Sequence, residues 1–173
     1  MDLKRTKGTL FGLWLLLTNG TAQALDNAPP ALTPQHQGYA FDQPEILIRQ
    51  RLFGLAHGVH LLVSVCLDKR EYAVATQSAY DRWHASQHLA LSTIRADLSR
   101  YYFGEHAAQA YWQDIANALG LKETIHPSLG GVSLDDACTS LPASLDNERY
   151  DLAQRLRLAD SAVPPAPTFA KPK

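Results

Sequence analysis

Tyr80–Tyr102 reads YDRWHASQHLALSTIRADLSRYY, 23 residues without a glycine or a proline. Its large residues fall at Tyr80, Trp83, Gln87, Leu91, Ile94, Leu98 and Tyr101. Steps of three and four residues, at 100° per residue, put these side chains on one stripe of a helix. Arg82, Ser86, Arg95 and Ser99 lie on the flanks or behind. The stretch predicts a long central helix, and the other elements are read by how they could cover it.

Upstream, Pro44 suits the first position of a helix and Glu45 complements its N-terminal dipole. Ile48, Leu52, Leu55, Val59, Leu62 and Cys66 then recur at helical spacing, which predicts a helix from Pro44 to about Leu67. Gly54 and Gly58 each weaken that helix by about 1 kcal/mol relative to alanine. A neighbouring helix packed closely against them would account for both. The run GVHLLVSVC, rich in β-branched residues, is also compatible with a buried strand. Asp68–Ser78 is a polar break followed by a helical piece feeding the central helix.

Downstream, Gly104 ends the central helix. Glu105–Leu119 predicts a shorter helix with Ala108, Tyr111, Trp112, Ile115 and Leu119 inward, stopped by Gly120. Leu121–Val132, with Pro127, Gly130 and Gly131, is a loop. Ser133, with Asp136 three residues on, is an N-cap candidate. Leu134, Cys138, Leu141 and Leu145 form the next inner face, which Pro142 kinks or divides. Asn147–Ala159 continues helically with Leu152 and Leu156 inward. No internal repeat is present. The fold class is all-α: a helical bundle of four to five helices, residues 44–160, around a long central helix, with one inter-helix disulfide. An extended Pro-rich leader, 25–43, precedes it, with Tyr39 and Phe41 placed to dock on the core. A disordered Pro-rich tail, 161–173, follows.

Residues 1–24 read as a secretory signal peptide. Lys4, Arg5 and Lys7 start it, Thr9–Leu17 is its apolar core, and Ala22-Gln23-Ala24 is a small-x-small cleavage site. Nine apolar residues fall far short of the roughly 20 that span a bilayer, and no other stretch is read as long and apolar enough, so no permanent membrane span is expected. The mature chain would begin at Leu25 in the periplasm or as a secreted protein. Cleavage removes three of the 16 basic residues and one of the 17 acidic ones, leaving 13 against 16 and a formal charge of −3. No basic patch remains to neutralise phosphates, so a nucleic-acid partner is not expected. The two cysteines, Cys66 and Cys138, are an even count in an exported chain and predict a disulfide.

The chemistry-bearing residues are fewer. His84 and His88, four apart on the central helix, present their rings one turn apart, a spacing suited to one metal ion. His57 and His60 are three apart on the first helix, but His57 lies about 180° and His60 about 120° from its apolar stripe, away from the central helix. Tyr80, Trp83, Tyr101, Tyr102, Phe103, Tyr111 and Trp112 are read as one aromatic group at the ends of two neighbouring helices. Gln87, polar on the buried stripe beside Trp83, needs a hydrogen-bond partner in the core or a ligand. Trp83 and Gln87 are therefore the ligand-binding candidates, and His84 and His88 the metal candidates. No catalytic signature is found: Gly-x-Ser-x-Gly, Walker and GxGxxG patterns are missing, as is CxxCH for haem. No cofactor is inferred. Glu105, His106 and Asp114 are the first candidates for a site assembled from separate helices. The leading expectation is a non-enzymatic exported protein that binds a protein or cell-envelope component. The alternative is a metal- or small-ligand carrier using the His84/His88 edge.

Overall fold

The computed structural model describes residues 32–126 and 129–162, and among them five α-helices and no strand. The signal segment 1–24, the start of the leader and residues 163–173 of the Pro-rich tail lie outside the described residues.

α1 (Pro44–Leu67) and α2 (Arg70–Phe103) are joined by Asp68 and Lys69 and run antiparallel. Arg49 pairs with Asp97 at one end of this hairpin, and the rings of His60 and Tyr80 meet near the other. α2, at 34 residues, is about 50 Å long. The GVHLLVSVC run is helical throughout. α3 (Trp112–Leu119), α4 (Leu134–Ser144) and α5 (Leu152–Ala162) pack on the hairpin and complete the bundle. The core runs through Phe53, Ile94, Leu98, Tyr102, Phe103, Ile115 and Leu152, all at most 2 % exposed.

Cys66 and Cys138 form the disulfide, with Cα atoms 5.5 Å apart, tying the last turn of α1 to the first turns of α4. Lys69 and Asp135 form an ion pair beside it. The helix ends follow their local chemistry. Gly104 (φ 54°) and Gly120 (φ 72°) end α2 and α3 at positive φ, Gly120 in the left-handed helical conformation. Ser133 Oγ accepts from the Asp136 N–H at 3.0 Å at the start of α4.

Four expectations are corrected. Glu105–Leu119 is two elements, a 3₁₀ helix over Gly104–Gln109 and then α3, because Asp114 accepts from the Tyr111 N–H at 2.8 Å and starts a new helix there. Ala108 and Tyr111 consequently face solvent. Asn147–Ala159 is not continuous either. α4 ends two residues after Pro142, whose missing N–H breaks the ladder, and α5 begins at Leu152 behind a short 3₁₀ turn, Glu148–Tyr150. At the other end α5 runs on to Ala162, two residues into the segment read as tail.

The leader is the third case. Phe41 is exposed and Tyr39 stands at the margin, yet residues 32–43 are held tightly by polar contacts. Gln35 N–H donates to Tyr102 O at 2.7 Å and Gly38 N–H to Ala118 O at 2.8 Å. Buried Gln50 accepts from Ala40 N–H at 2.8 Å and donates to Tyr102 Oη at 2.7 Å, while the Tyr102 hydroxyl donates to Gly38 O at 2.7 Å. Burial pushes the Tyr102 hydroxyl well above its ordinary pKa, so it stays a donor. Finally, α1 does reach the length and mean hydropathy of a membrane span. It does so because it is packed on more than one face and is apolar around most of its circumference, with Gln50 and His57 bonded inside the fold.

Candidate functional site

The first face of α1 packs Leu52, Ala56, Val59, Val63 and Cys66 into the hairpin core. A second face, Phe53 and His57, packs under Trp112, whose ring stacks on Phe53 at 4.1 Å. His57 is 6 % exposed rather than turned outward. The sequence stripe left out Phe53, and with it the face on which α3 sits. His57 Nδ1 accepts from the Trp112 indole N–H at 3.0 Å, so its Nε2 carries the proton and donates to Lys122 O at 2.9 Å.

One turn on, His60 stacks at a tilt on Trp112, 4.6 Å between centroids, and stands nearly perpendicular to Tyr80 and Trp83. Its buried Nε2 has no hydrogen-bond partner. Burial, followed by repulsion from His84 and His57, pushes His60 down to about 4. It is therefore a neutral ring at neutral pH. His60, His84 and His88 line one cleft of about 240 Å³ with Trp112 and Arg95. The two metal candidates are both exposed, and His88 Nδ1 is engaged by Ala85 O at 2.9 Å. Among the described residues no three His, Cys, Asp or Glu side chains stand close enough together to hold a metal ion.

Trp83 and Gln87 lie where the sequence placed them, buried on the inner stripe of α2. The Trp83 indole N–H donates to Tyr150 O at 2.9 Å, and Gln87 Oε1 accepts from Ala153 N–H at 2.9 Å. Gln87 Nε2 donates to Ser86 Oγ at 3.0 Å. These atoms fasten the segment between α4 and α5 onto α2, and both side chains border a depression of about 430 Å³ there. The aromatic residues form two groups rather than one. Tyr80, Trp83 and Trp112 surround His60, whereas Tyr101, Tyr102 and Phe103 pack at the far end of α2. Glu105 and His106 are exposed neighbours 3.8 Å apart, and Asp114 is occupied as the cap of α3, so these three do not converge.

A cavity of about 570 Å³ was not foreseen. It is a groove between α1 and α4, with the loop carrying Ile125, Leu129 and Val132 along one side. Leu55, Val59 and Leu62 form the α1 wall, with Gly54 and Gly58 among them, and Ser140, Leu141 and Ser144 form the α4 wall. Among the described residues, no atom outside its own stretch of helix lies within 4 Å of where a Gly58 Cβ would stand. The expected neighbouring helix therefore does not close on Gly58, and the missing methyl opens onto the groove. Arg51 and Arg149 line the same groove, and neither has an acidic partner among the described residues. Leu55 and Leu62, read from the sequence as part of the inward stripe, face this groove, and the signal beside them was Arg51, Gly54 and Gly58 on the same side of the helix. No protein-family model, curated protein or solved structure matches this chain.

Proposed function

We propose that this chain is an exported, periplasmic helical protein that acts by binding a cell-envelope component, with the α1–α4 groove as its binding surface and no catalysis of its own. The observation that carries the reading is the groove. Its volume lies within the roughly 300–1,000 Å³ of small-ligand sites. The bundle's own helices leave it uncovered although Leu55, Val59, Leu62, Leu129 and Leu141 stand among its polar lining residues. Export is supported by the charged start, apolar core and A-x-A site of residues 1–24, and by a disulfide, which persists in oxidising compartments.

The test joins fractionation to mild cross-linking of the full chain in cells. The mature protein is expected in the periplasmic fraction, beginning at Leu25. A defined envelope component should be captured by wild type and lost in Gly58→Leu, which fills the groove floor. Equal capture by both proteins, or a chain retaining its leader in the cytoplasm, overturns the reading.

A second reading, a metal or small-ligand carrier on the His84/His88 edge, is favoured by one observation. His60, with its unpartnered nitrogen, lines the same cleft. Zinc titration of wild type beside His84→Ala and His88→Ala tests it, and identical weak binding in all three sinks it.

A further inference from the structure

We infer that the α1–α4 groove takes a single-chain carboxylate amphiphile, a fatty acid, with its head at Arg51 and Arg149 and its tail along the aliphatic walls toward Leu62. This names the ligand class for the groove and rests on the groove being the binding surface.

The disulfide sets the direction of the site. It holds the start of α4 beside the end of α1, so α4 runs back along α1. Leu62 and Ala137 therefore border the disulfide end and Arg51 the other, with Arg149 reaching the same groove from beyond the end of α4. Two cationic side chains and a set of aliphatic ones thus line one channel, the combination that an amphiphile requires.

Arg51 emerges one turn before Leu55, and the Arg149 guanidinium is 5.8 Å from the centre of the Tyr150 ring, itself part of the lining. Both guanidiniums are free of carboxylate partners within the described chain. Guanidinium is matched to carboxylate by its planar fork, and charge-assisted pairs of this kind are the stronger hydrogen bonds. The tail is held by burial of its methylenes as they leave water.

Gly58 supplies the third argument. A glycine inside a helix is unfavourable, and among the described residues no neighbour stands within 4 Å of the missing methyl. The space is open to an occupant of the groove. The volume holds one acyl chain more naturally than a folded partner.

The mature, disulfide-bonded protein would be titrated with dodecanoate, dodecyl maltoside and acetate, each followed by amide chemical shifts. Dodecanoate is expected to bind with shifts centred on Gly54, Gly58 and Ser140, and acetate not to bind. Arg51→Gln and Arg149→Gln should each weaken dodecanoate about tenfold or more with unchanged circular dichroism. Gly58→Leu should abolish it. Equal affinity for dodecanoate and dodecyl maltoside overturns the carboxylate assignment while leaving the groove as a binding surface. Shifts centred elsewhere, or no saturable shift, overturn the inference outright. The groove reading itself fails only in the Gly58→Leu capture experiment, so the two failures are distinguishable.

Discussion

Gln87 Oε1 lies 2.9 Å from the backbone nitrogen of Ala153, so a side chain from the middle of α2 satisfies a free N–H in the first turn of α5. Asp151 Oδ1 accepts from the next N–H, that of Gln154, at 2.9 Å. The start of α5 is thus capped once by the residue that precedes it and once from another helix.

Replacing Gln87 by leucine keeps the volume but leaves the Ala153 N–H unpaired under the fold. A loss of about 1–2 kcal/mol is expected. Urea denaturation followed at 222 nm measures it. Gln87→Glu, which keeps an acceptor and adds charge favourable to a helix start, should lose less. A leucine variant as stable as wild type would show that the cap contributes nothing.

The Cys66–Cys138 bridge spans 72 residues, and closing a loop of that size constrains the unfolded chain by about 4 kcal/mol on the chain-entropy account. The paired Cys66→Ala/Cys138→Ala variant should fall by most of that amount. Reduction of wild type should bring the two proteins to similar midpoints. Unequal midpoints after reduction would assign part of the effect to packing of the thiols.

His60 holds its proton less tightly in the fold than in the unfolded chain, so protonation favours unfolding. The stability contributed by its neutral state is complete above about pH 6.5 and is lost as pH falls toward about 4. The loss attributable to this ring should be about 2 kcal/mol, allowing for its partial contact with water. Subtracting the pH profile of His60→Gln from that of wild type isolates it. A flat difference between pH 4 and 7 removes the assignment.

Gly58 and Gly104 should respond oppositely to alanine. Gly58 sits in a helix with open space at its Cβ position, so Gly58→Ala should raise stability by about 1 kcal/mol. Gly104 has φ 54°, and a Cβ there would meet the Gln35 amide at 2.5 Å, so Gly104→Ala should lower stability by about 1–2 kcal/mol. Thermal melts of the two variants against wild type decide both signs.

The periodic residues and the breakers were enough to place α1, the spine of α2 and the cysteine pair, because local sequence spacing dictates them. Gln87 was legible as a buried polar group needing a partner, and that partner is a backbone N–H 66 residues away. What could not be read depends on how helices are arranged around one another. Phe53 and His57 mark a second buried face of α1 that only the placement of Trp112 reveals. Gln50 looks like a surface residue until the leader folds back over it. Arg51 and Arg149 become neighbours of one groove only through the antiparallel return of α4, which no local pattern encodes.

The two ends of the groove are held by different means. Near Leu62 and Ala137 the spacing between α1 and α4 is fixed covalently through Cys66 and Cys138. At Arg51 and Arg149 it depends on side-chain packing and on the hydrogen bonds to Trp83 and Gln87 that fasten Tyr150 and Ala153 onto α2. The groove is therefore built like a hinged clip, with its pivot at the sulfur atoms and its free edge at the arginines. A longer or bulkier guest would be admitted by movement at the arginine edge, with the helix spacing at the pivot unchanged.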